Sequence, residues 1–128
     1  MSSSYWHSEM NKISKQIDSL DDKIEDYSNY KQKLIKLDSN IEKIYKNMSE
    51  VKSVLLDGGF NYGGDVPLED EFHSTMKDFN NNIKELEKII KKIELIIEDE
   101  LIPKKDKLTE SYKTAESNYN KAKKEENG

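Results

Sequence analysis

The chain has 128 residues with 34% apolar and 37% charged side chains, against about 45–50% and 25% in an ordinary soluble domain. This deficit excludes a thick globular core and leaves either a disordered polyampholyte or long helices sharing a narrow apolar seam. The 26 acids outweigh 21 basic residues, all of them lysine, and this balance of -5 argues against a phosphate-neutralising nucleic-acid surface. The chain has no cysteine, which removes disulfides and thiol chemistry. Its first ten residues, MSSSYWHSEM, carry neither the basic nor the apolar part of a secretory signal, so none is expected. No apolar run approaches the roughly 20 residues of a membrane span.

The first predicted element is a helix over about 5–57. One apolar track falls every seven residues, at Trp6, Ile13, Leu20, Tyr27, Leu34, Ile41, Met48 and Leu55. A second runs through Met10, Ile17 and Ile24, then moves back one position to Tyr30, Leu37, Ile44 and Val51. The mean apolar spacing of about 3.5 is that of a helix laid along another helix. Both tracks are therefore expected in the seam. Asp57, Gly58 and Gly59 close this helix, and a turn over about 58–66 follows.

Asp65, Pro67 and the acids Glu69, Asp70 and Glu71 open a second helix, predicted over about 67–124. Its stripe reads Phe72, Met76, Phe79, Ile83, Leu86, Ile90, Ile93 and Ile97. It then stutters through Leu101 to Leu108 and resumes at Tyr112, Ala115, Tyr119 and Ala122. Pro103 falls in the stutter and predicts a kink or short break. Matched stripes about a Gly-rich turn predict an all-α fold, a single antiparallel two-helix hairpin in which facing residue numbers sum to about 125.

Few residues could serve chemistry. The loop from Asp57 resembles an EF-hand only loosely, because Tyr62 and Leu68 stand where that loop needs glycine and glutamate. His73 and His7 belong to opposite ends of a hairpin and cannot share a metal. No phosphate loop and no nucleophile with a base are apparent, so neither an enzyme nor a metal or cofactor protein is expected. Apolar residues are instead in excess. Ile89, Leu95, Ile96 and Ile102 lie outside the seam positions of the second helix, and Ile35 stands beside Leu34 on the first. A two-helix hairpin has no third layer to cover them, which marks a face for a helical protein partner. That partner is either a second copy of this chain or a different protein.

A lysine-rich helical hairpin of this length resembles the small proteins of Gram-positive type VII secretion systems. These include the W-x-G superfamily and the YwqH-like helical partners of LXG toxins. Tyr62-Gly63-Gly64 is the counterpart of the family's Trp-x-Gly turn, with tyrosine in the aromatic position. Tyr112 and Glu116 fit the family's Tyr-x-x-x-Asp/Glu export motif near the C-terminus, although Tyr112 also lies on the seam, where its ring alone would serve. The resemblance implies a non-enzymatic adaptor or targeting chaperone. Such a protein binds the helical N-terminal region of a toxin in the cytoplasm, aids its export, and in some cases leaves with it. A self-associating coiled-coil spacer or scaffold is the alternative.

Overall fold

The structure, a computed structural model, describes residues 1–57 and 68–128, less the side chains of residues 55–57, 68, 69 and 72. It is all-α, with no strand among the described residues. Helix α1 runs Ser3–Asp57 and α2 runs Leu68–Leu95; a π-helical turn at Ile96–Leu101 then leads into α3, Ile102–Asn127. The first helix packs antiparallel against the second, kinked arm, as the stripes predict. The predicted turn, with Tyr62, Gly63 and Gly64, lies outside the described residues.

The kink has a local cause. Pro103 has no N–H to give the Asp99 carbonyl four residues back, and its ring would strike that carbonyl in a regular α-helix. The chain widens just before it, and the Ile102 N–H donates to the Ile97 carbonyl, five residues back. The extra residue in this turn also absorbs the stutter. Leu101, the last residue of the turn, is buried at 6% exposure.

The chain forms two compact units, Met1–Asn29 with Ile93–Gly128, and Tyr30–Lys92. In the first, α1 packs against α3. The Ser3 N–H and hydroxyl both donate to the Glu126 carboxylate, at 2.9 and 2.6 Å. The His7 and Tyr119 ring centroids lie 6.0 Å apart, and Lys105 Nζ meets Asp21 Oδ1 at 2.6 Å. The last two pairs have residue numbers that sum to 126, close to the predicted register. Leu101, Ala115 and Ala122 are buried, and the small alanines let the helices approach closely.

In the second unit, α1 packs against α2 with Ile83 buried and Met76, Phe79, Leu86 and Ile90 half-buried. Among the described residues of either unit, no large side chain is fully enclosed. The low apolar content yields a contact line between helices and no interior.

Candidate functional site

The packing line on α1 holds a strict heptad from Trp6 to Lys52; Leu55, the next member expected, lies outside the described side chains. Its first track, Trp6, Ile13, Leu20, Tyr27, Leu34, Ile41 and Met48, is half-buried throughout. Its second track starts at Met10, Ile17 and Ile24 and continues through Lys31, Asp38, Tyr45 and Lys52, all half-buried. The sequence pattern had placed Tyr30, Leu37, Ile44 and Val51 in this track. That expectation is corrected by the structure, which leaves them 57%, 46%, 46% and 48% exposed. The reason is geometric. A helix that keeps one neighbour along its length presents the same heptad positions to it, whatever residues occupy them. The apolar stripe shifts back by one residue after Ile24, about 100° around the helix, while the half-buried row keeps its interval of seven.

Other apolar side chains are also left outside. Leu95 and Ile102 flank the π-helical turn at 47% and 39% exposure, and Ile35 and Ile89 in the second unit are similarly open. Ile96, grouped with these in the sequence pattern, is half-buried.

The polar flank of the second unit carries its own cluster. Asp38, Glu42 and Glu87 bring one carboxylate oxygen each within 4.8 Å of one another. Glu42 and Glu87 are exposed, while Asp38 is half-buried and its Oδ1 has no hydrogen-bond partner. Carboxylate oxygens are the donors a hard cation takes, and water at this open position also screens the three charges. His73 is exposed on α2 and lines a 500 Å³ groove with Tyr45, Lys52, Met76, Lys77 and Asn80.

In the first unit Tyr112 is half-buried and Glu116 exposed, one turn apart on α3. Neighbouring hydroxyls are turned inward along their own helix: Thr109 donates to the Lys105 carbonyl at 2.9 Å and Thr114 to the Glu110 carbonyl at 3.1 Å. Trp6, Ile13 and Ala115 line a shallow groove of 290 Å³ between α1 and α3. Two groups here have displaced pKa values. The Ser3 hydroxyl, then the Ser3 N–H, hold the Glu126 carboxyl below its ordinary value. The hydrogen bond and charge of Asp21 raise Lys105.

The chain matches no protein-family model, no curated protein and no solved structure. No helix among the described residues is long and apolar enough to cross a membrane. What remains as a site is apolar surface on helices.

Proposed function

We propose that this protein is a non-enzymatic helical adaptor that docks a helical region of another protein. The observation that carries this reading is the exposure of Leu95 and Ile102 on either side of the π-helical turn. A partner would take up this exposed apolar area, since among the described residues the unit has no further element over it. The arrangement of side chains supports an interaction role over catalysis. Most of its titratable groups are spread along exposed helix faces and others, such as Lys31 and Asp38, are half-buried in the packing line, while the buried positions are occupied by Ile83, Leu101, Ala115, Ala122 and Ser3.

The resemblance to small type VII partners narrows the reading to the N-terminal helices of an LXG-type toxin. On it the adaptor assembles with the toxin in the cytoplasm and presents the pair for export. Tyr112 and Glu116 then supply the recognition feature, since Glu116 is open to a receptor and stands four residues from Tyr112 on the same helix face. The test is co-expression with the helical N-terminal region of an LXG-type toxin. Wild type should co-purify with it, and Leu95→Lys with Ile102→Lys should lose it while keeping its helicity. Retention of the toxin by that double variant would remove the surface from the account.

A further inference from the structure

The stripe Tyr30, Leu37, Ile44, Val51 is separate from the adaptor surface at Leu95 and Ile102 and belongs wholly to the second unit. Its members fall seven residues apart, each three residues after a half-buried member of the packing track. Because α1 already lies along α2, a line that repeats every seven residues runs straight beside the pair, where an unsupercoiled stripe would drift about 20° per heptad. A straight apolar line of this length suits a helical occupant. Ile89 of α2 lies on the same side of the unit. Ile44 and Ile89 each come two residues after a member of the acidic cluster, Glu42 and Glu87, which turns both about 200° away from it.

Three features of this face select its partner. The first is register, since an evenly spaced stripe always meets its own antiparallel copy residue for residue. Tyr30 and Val51 are equally far from the midpoint between Asn40 and Ile41, and so are Leu37 and Ile44. An antiparallel copy centred there sets Leu37 against Ile44 and Tyr30 against Val51, twice over. At the Val51 end is a 420 Å³ recess lined by Asn47, Glu50, Val51 and Val54. Tyr30, the most exposed member of the stripe, stands at the other end. Its ring suits the valines, and its hydroxyl can donate to Glu50 or Asn47. The second is charge. Residues 30–92 hold 11 lysines and 11 acids, so this unit is neutral; the other, with 10 lysines and 15 acids, carries the whole net charge of -5. Two copies meet here without net repulsion. The third is area. A stripe of 22 residues is about 32 Å long, and two helices side by side are about 20 Å wide. Such a face covers roughly 600 Å² per copy, and two copies exceed the roughly 1,000 Å² that a specific interface needs.

We propose that this stripe packs antiparallel on the same stripe of a second copy of the chain, giving a two-fold symmetric dimer. Sedimentation equilibrium on the full chain at about 100 μM tests it. Wild type should weigh twice its 14.9 kDa. Leu37→Lys with Ile44→Lys should weaken the dimer by on the order of 100-fold or more, since four lysines would meet at its centre. Circular dichroism at the same concentration should show the variant still helical. A second readout is independent of any folding defect in that variant. The chain has no native cysteine. Asn40→Cys should therefore form a disulfide with its own copy across the two-fold axis, and Ser39→Cys, about 100° further round the helix, should not. A monomeric wild type, a dimer indifferent to the lysines, or cross-linking through Ser39→Cys and not Asn40→Cys would overturn the proposal. So would a monomer that takes up a different helical protein through Leu37 and Ile44. None of these results bears on the adaptor surface, which is tested at Leu95 and Ile102.

Discussion

Leu101→Ala is the most direct test of where this thin fold keeps its stability. Leu101 is 6% exposed at the end of the π-helical turn, whereas Leu95, six residues earlier, is 47% exposed. The substitution removes three carbons, worth about 2.4 kcal/mol of transfer free energy when fully buried, at about 0.8 kcal/mol each. A cavity would normally add to that loss, but no large described side chain is fully enclosed, so water or a neighbour can fill the gap. The expected loss is therefore about 2–2.5 kcal/mol. Leu95→Ala, about half covered, should lose about 1 kcal/mol, after the slight offset from the better helix propensity of alanine. Urea unfolding followed at 222 nm, with all proteins at one concentration, measures both. Equal losses at the two sites would refute the assignment of Leu101 to the packing line and Leu95 to the surface.

Pro103→Ala should raise stability by roughly 1–3 kcal/mol in a thermal melt, because it restores a donor and removes the clash that the π-helical turn relieves; a lower melting temperature would show that the packing of Leu101 imposes that turn. The Ser3–Glu126 contact should confer stability above the ordinary carboxylate range and lose it as pH falls through the depressed pKa of Glu126. In Ser3→Ala, NMR titration should find that pKa moved upward; an unmoved value would dismiss the hydroxyl as its main cause. On the proposed adaptor reading, Glu116→Gln should lower toxin export without disturbing assembly or the melting temperature, since Glu116 is exposed and such surface changes usually cost less than about 0.5 kcal/mol. Normal export by this variant and by Tyr112→Ala, each still assembled, would leave Tyr112 as a seam residue only.

The all-α pairing was legible because Trp6 through Met48 repeat without a gap, and the facing register followed from stripes of similar length on either side of Gly58 to Gly64. The kink was legible from Pro103 and the stutter, though not its form; a π-helical turn and a simple break share those signals. The fate of Tyr30, Leu37, Ile44 and Val51 was not legible from hydrophobicity alone. Apolar spacing reports where a helix is greasy, and heptad continuity reports where its neighbour lies. The two agree up to Ile24 and diverge after it. The signal that separates them was present in Lys31, Asp38 and Lys52, polar residues that continue the row of Met10, Ile17 and Ile24 at unbroken intervals of seven. Ile96, which begins the π-helical turn, is half-buried, a difference from Leu95 and Ile102 that apolar spacing does not show.

The claim that exposed apolar helix surface is the working part of this protein is tested most directly by calorimetry. The chain would be titrated, on the proposed adaptor reading, with the helical N-terminal region of an LXG-type toxin at several temperatures. The account predicts saturable binding with a negative heat-capacity change, the mark of apolar burial. Both the binding and that change should be lost in Leu95→Lys with Ile102→Lys. Absence of binding, or binding with an unchanged heat-capacity signature in that variant, would contradict it.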